Sequence, residues 1–353
     1  MKKYLKIFLM TTLLLVAACS KDDDDSGIVP DNSNGSIKDS YPREQEENPS
    51  ENTTDNPTEN TTDNPTENTE DTPADNPEKT SSPIPSDKKI GLVLGGGGAK
   101  GAAEIGVLKV MEANNVKFDY IAGTSIGASV GALYAAGYTA EELEVFMASL
   151  TKEDGTDSDR IRAILSKAFE DKGVKTFADL KIPFRCVAAD AKTQTEIVLS
   201  EGNLLESVMA SMAIPVLYKT VEMDDMRLVD GGFLNNLPVD VAKDMGAEYT
   251  VVIDLQSAGS MLADALSDEV ATLIANPDLA MQLYGEDVIN FALYYFTAHP
   301  ENIKYDINTK AADFYIHPDL TGYDMLSFGK ENCDAMVALG VQAAEDALSK
   351  KSE

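Results

Sequence analysis

The stretch Gly123-Thr124-Ser125-Ile126-Gly127 combines residue types suited to covalent chemistry. It follows the apolar run at 118–122 and leads into the small-residue stretch Ala128–Ala136. Strand, G-x-S-x-G and helix together describe a nucleophilic serine raised on a sharp turn, with glycines clearing space around the hydroxyl. A serine needs a base. The chain contains two histidines, His299 and His317, each followed by proline and neither near another candidate motif. A carboxylate is therefore the expected base. Asp230 ends the run Met226–Val229 and precedes Gly231-Gly232, which would present it at the end of a strand. Asp190 and Asp254 also end apolar runs, so position alone leaves three carboxylates in play, and an Asp-Gly pair is also an ordinary turn.

A glycine loop precedes these motifs. Ile90–Leu94 is a nearly continuous apolar run, as expected for a strand buried on both faces. Gly95-Gly96-Gly97-Gly98-Ala99-Lys100-Gly101 follows, and Ile105, Leu108 and Met111 then recur at helical spacing. Lys100 lacks the preceding glycine and following Ser or Thr of a Walker loop. Gly96, Gly98 and Gly101 do spell G-x-G-x-x-G, but the acid a dinucleotide site needs is misplaced, since Asp119 precedes its strand. Consecutive glycines at a helix start leave backbone N–H groups exposed beside the positive end of the helix dipole. The amides of Gly96, Gly97 and Gly98 are thus candidates for an oxyanion hole. Lys100 reads equally well as functional or as a solvated residue at the helix start.

These motifs need a scaffold. Residues 89–349 have the length and apolar content for one large α/β domain. Cys186, within the apolar stretch Ile182–Ala189, reads as a buried strand residue. Residues 260–300 read as helix, with Phe291, Tyr294, Tyr295 and Phe296 either packed on the sheet or forming a lid. Residues 330–348 predict a closing amphipathic helix. The formal charge of the chain is −31, of which about −21 falls on the domain. Such a surface repels nucleic acid and anionic lipid alike. Nothing in the pattern calls for a metal or cofactor.

The first 88 residues are of another kind. Lys2, Lys3 and Lys6 precede an apolar stretch, Ile7–Val16, too short to span a bilayer. Val16-Ala17-Ala18-Cys19 then resembles a bacterial lipobox, which implies a signal over 1–18 and acylation of Cys19. The acidic run Asp22–Asp25 resembles a surface-export signal of outer-membrane lipoproteins. Residues 19–88 carry almost no apolar side chains and hold the octapeptide ENTTDNPT at Glu51–Thr58 and again at Glu59–Thr66. With no face to bury, this is expected to be a disordered acidic stalk.

Taken together, the three motifs resemble the patatin-like phospholipase family. They are Gly96-Gly97-Gly98-Ala99-Lys100-Gly101, then Gly123–Gly127, then Asp230-Gly231-Gly232, in the family's order. Ala210–Pro215 and Asn235–Pro238 are also similar to the family. The resemblance implies a three-layer α/β/α fold with a mostly parallel central sheet, a Ser125–Asp230 dyad and hydrolysis of lipid carboxylic esters without a metal. It implies a phospholipid or other lipid ester as substrate, on a membrane reached through the lipid anchor. Glu104 stands where many members carry histidine, and Leu217-Tyr218 departs from the commoner pair. An esterase for small or neutral esters and a non-catalytic lipid-binding lipoprotein remain the alternatives. A free aspartate titrates near about 3.9, so a dyad base must be raised by burial, with an acid limb above that value.

Overall fold

The computed structural model describes residues 83–215, 217–256, 277–298 and 300–350. The signal segment, Cys19, the octapeptide repeats, His299 and residues 260–276 of the expected helix lie outside the described residues.

Five apolar runs form the parallel part of the sheet. They are β1 (Ile90–Leu94), β2 (Tyr120–Thr124), β3 (Phe184–Asp190), β7 (Tyr249–Ile253) and β8 (Phe314–Ile316). β1 pairs in parallel with β2 and β7, β2 with β3, and β7 with β8. Three strands run the other way: β4 (Thr195–Leu199) and β6 (Met226–Asp230) against β3, and β5 (Val221–Met223) against β6. Asp224 and Asp225, at φ 46° and 64°, make the tight β5–β6 turn in the left-handed region that suits a two-residue hairpin. The sheet is mostly parallel, as the resemblance implies.

Helices cover both faces. Connections after β1, β2 and β4 supply α1 (Ala102–Ala113), α2 (Ile126–Ala136), α3 (Ala140–Ser149), α4 (Lys152–Thr156), α5 (Ser158–Asp171) and α6 (Leu204–Ser211). Then come α7 (Val239–Asp244), α8 (Pro277–Ala298), α9 (Pro300–Ala311) and α10 (Lys330–Ser349). Alternation along the strands divides the core. Leu92 and Leu94 point into the larger cluster with α1, α2, α3, α6 and α10, while Val93 faces Val187, Val252 and the α7 residues Val241 and Ala242. The result is a three-layer α/β/α domain. α1 packs closely on α10, because Gly106 and Gly340 let the two backbones approach where any Cβ would collide.

Two of the α8 aromatics, Phe291 and Tyr295, settle as core. Phe291 and Tyr295 are fully buried and meet Phe233 edge-on, at ring centroid distances of 5.5 and 4.8 Å. This favours packing over a lid for these two residues. α8 bends at Gly285 (φ 84°), beside Arg227 of β6, which pairs with Asp287 at 2.7 Å.

One buried group works against the fold. Glu104, in the first turn of α1, has no exposed surface, and neither carboxylate oxygen has a hydrogen-bond partner among the described residues. Burial holds its pKa well above the ordinary value, so it folds as the neutral acid. The unfolded chain releases that proton above about 4.3, which means that stability falls as pH rises beyond that point toward the raised pKa. Glu104→Met is expected to raise Tm, and by more at about pH 8 than at about pH 4. Equal gains at both pH values in thermal melts would contradict this account.

Candidate active site

The sheet topology explains how two distant residues meet. β4 lies along one edge of β3 over Cys186–Asp190, so β2 and β6 share the other edge. β2 runs parallel to β3 and ends with Thr124 opposite Val187. β6 runs antiparallel and ends with Asp230 opposite Ala188, the next residue along. Two strands thus point their carboxyl ends at each other. The residue after one is Ser125 and the last residue of the other is Asp230.

The serine sits on a strained turn. Its φ and ψ are 56° and −121°, a conformation a side-chain-bearing residue adopts only when its surroundings impose it. Those surroundings are close backbone approaches: a Cβ on Gly123 would lie 2.3 Å from Gly127 O, and one on Gly127 would lie 2.3 Å from Leu94 O. Both glycines of the motif are therefore steric requirements. Ser125 itself is 5% exposed.

Asp230 is fully buried. Its Oδ1 accepts the Gly232 N–H at 2.7 Å, and its Oδ2 makes no hydrogen bond of full geometry. Burial pushes its pKa up to about 7, against the smaller opposing effects of the Ser125 side chain and the Gly232 amide. The competing carboxylates are engaged elsewhere. Asp190 accepts from the amides of Lys192, Thr193 and Arg227 and from the Thr193 hydroxyl. Asp254 accepts from the hydroxyls of Tyr305 and Tyr315 and from Gln256 N–H. His317 stays with Asp254, its Nδ1 lying 3.1 Å from that residue's carbonyl oxygen.

The glycine loop borders the serine. A Cβ on Gly96 would lie 3.2 Å from Ser125 Cβ. The three candidate amides are not equivalent, however. Gly96 N–H donates to Asn236 O at 3.1 Å, whereas those of Gly97 and Gly98 make no hydrogen bond among the described residues. The oxyanion candidates narrow to Gly97 and Gly98, because the Gly96 amide is already committed. Asn236 braces the loop a second time, donating from Nδ2 to Gly96 O at 3.2 Å. Gly98 adopts φ +59°, and Ala99 N–H, one residue on, donates to Met325 O at 2.9 Å. Lys100 and Gly101 close the loop into α1 through a turn of 3-10 helix, and Lys100 is only 3% exposed, which removes the solvated reading. Gly231 lies directly on the Val187 carbonyl.

Ser211 carries a role that spacing alone does not reveal. Its hydroxyl accepts the Ser125 N–H at 2.9 Å and donates to Val187 O at 2.6 Å. It therefore ties the strained turn to β3 at the point where β2 and β6 meet. It also occupies the Ser125 amide. Ser211→Ala is expected to lower kcat by up to about a hundredfold through misplacement of the serine, with KM nearly unchanged. An unaltered kcat would show that the turn holds without this bridge.

The sequence model of the patatin-like phospholipase family matches residues 92–243, which contain all three motifs. The chain carries a domain of the patatin-like phospholipase family. Human patatin-like phospholipase domain-containing protein 6 is 36% identical over 186 residues, covering 48% of this chain and 13% of that protein. Patatin-like phospholipase domain-containing protein 7 of Rattus norvegicus is 30% identical over 267 residues, 68% of this chain and 19% of that protein. Lysophospholipase NTE1 of Candida albicans is 25% identical over 305 residues, 74% and 20% of the two chains. The chain thus matches a fifth or less of these relatives' length. Among solved structures, VipD from Legionella pneumophila aligns with a TM-score of 0.41 and 14% identity, over 74% of this chain and 67% of that one.

Proposed function

We propose that the patatin-like domain hydrolyses carboxylic esters of membrane lipids, as a phospholipase A or lysophospholipase, through a Ser125–Asp230 dyad. The observation that carries this reading is the head-on meeting of β2 and β6, which joins a strained serine to a fully buried carboxylate. Asp230 accepts the Ser125 proton as Oγ attacks the acyl carbonyl carbon. The Gly97 and Gly98 amides hold the resulting oxyanion. Asp230 then protonates the departing alcohol oxygen as the ester C–O bond breaks. Water attacks the acyl-enzyme by the same route, releasing the fatty acid and restoring the serine. The names of the relatives support a lipid ester as substrate. A fluorophosphonate probe is expected to label Ser125, with the label absent from Ser125→Ala. An unlabelled wild type would leave a binding role as the better reading.

The N-terminal sequence supports a second element of the proposal. Val16–Cys19 and the acidic run after it fit a lipoprotein of the bacterial outer membrane, with Cys19 acylated, the domain on a 19–88 tether and Asp22–Asp25 directing it to the cell surface. Cys19→Ala is expected to move the protein from the membrane to the soluble fraction. Unchanged membrane association would exclude the anchor.

A further inference from the structure

The core behind the nucleophile turn is not completely filled. An apolar void of about 20 Å³ lies between α2, α3, α5 and the segment after α6. Ile126, which follows Ser125, and Met212 are among the residues that line it. Met212 stands between the two residues that hold the dyad's backbone: Ser211 takes the Ser125 N–H, and the carbonyl of Ala213 takes that of Asp230 at 3.0 Å. The half-buried rings of Phe146 and Phe328 also line the void. Apart from Ser129 and Tyr218 every lining side chain is apolar, and the Tyr218 hydroxyl is committed to Gly155 O at 2.6 Å.

Packed interiors tolerate few such voids. At rest this one holds little more than one water-sized sphere, yet its lining offers a polar partner almost nowhere, so water is poorly accommodated. Its walls can give way. Met147 and Met212 are unbranched and adaptable, and the rings of Phe146 and Phe328 are only partly covered. The neighbouring open groove, lined by Asp157, Asp159 and Lys219 beyond Tyr218, is too polar to take a hydrocarbon tail.

We infer that this void is the seat of the substrate's acyl chain, which runs from Ser125 along α2 toward Phe146 and Phe328, with Leu133 limiting the length accepted. The inference rests on the proposed ester hydrolysis and adds to it where the tail lies. Leu133 is eight residues beyond Ser125, about 12 Å along the helix axis, and lines the void. A chain that reaches it must displace side chains, whereas an acetyl group need not.

The test compares p-nitrophenyl acetate, butyrate, octanoate and laurate as substrates of the full-length protein, its Leu133→Phe variant and its Phe146→Ala variant. The readout is the ratio of kcat/KM for laurate to that for acetate, which does not depend on the fraction of protein correctly folded. Filling the void with Leu133→Phe is expected to lower this ratio by roughly 10–200-fold, the range for small changes in an apolar pocket. Enlarging the void with Phe146→Ala is expected to raise the ratio. Ratios unchanged in both variants, with the wild type active, would overturn the inference alone. A wild type inactive on every ester would overturn the underlying functional reading, and this inference with it.

Discussion

Asp230→Asn is expected to abolish ester hydrolysis while leaving the domain folded. The substitution keeps the shape of the side chain and removes its ability to take a proton. Acting as a unit, nucleophile and base are grossly non-additive, so Ser125→Ala, Asp230→Asn and the double variant should each lose about 10⁴-fold or more in kcat. The pH profile of the wild type supplies an independent check. Burial pushes the Asp230 carboxyl up to about 7, and a general base works only when deprotonated. Activity should therefore fall tenfold per unit as pH drops below that value. A profile flat down to about pH 4 would remove Asp230 as the base. Stability should move the other way. A carboxyl whose pKa is raised by folding makes the protein less stable as pH rises from the unfolded value toward the folded one. Asp230→Asn should thus melt no lower than wild type, and higher in alkaline solution. Lost activity accompanied by a lower Tm at every pH would point to a structural defect instead.

Gly98→Ala is expected to cost about 10²–10³-fold in kcat, the usual consequence of losing an oxyanion donor. The reason is positional. Gly98 holds φ +59°, where a side chain is strained, and an added Cβ would lie 2.4 Å from Met325 O and 2.9 Å from Met325 Cα. Backbone cannot yield as a side chain can, so the loop must shift and carry its amide away. Gly97→Ala provides the control. Its φ of 171° lies outside the left-handed region, and the nearest obstacle is Leu255 Cβ at 2.9 Å rather than a backbone carbonyl, so some loss is expected but a smaller one. Steady-state kinetics should rank Gly98→Ala well below Gly97→Ala. Equal, small effects would mean that these amides do not hold the developing charge.

Much of this site could be read from residue order, and the rest could not for definite reasons. Strand, glycine loop and helix at 90–113, and strand, turn and helix at 120–136, follow from local pattern, because buried parallel strands read as apolar runs and glycines mark the turns. The choice among three aspartates was hidden. Asp190 and Asp230 end strands and Asp254 directly follows one, and they differ in what reaches them from elsewhere in the chain: backbone amides and Thr193, a strained serine, or two tyrosines. Nor does spacing disclose that Gly96 spends its amide on Asn236 while its neighbours do not, since that bond spans 140 residues. Ser211 was invisible for the same reason. Its two partners, Ser125 and Val187, come together only after β2 and β3 pair. The aromatics of α8 show the converse. Their periodicity allowed either core or lid, and Phe233, two residues beyond the Asp230-Gly231 turn, decides for core.

The most direct measurement is fatty-acid release from an acyl-labelled phospholipid and its lysophospholipid, without added calcium, by the full-length protein and its Ser125→Ala variant. Release by the wild type and none by the variant is the expected result, and it would establish the ester chemistry and the nucleophile at once. Equal release by both would contradict the dyad, and release by neither would contradict a lipid acyl hydrolase.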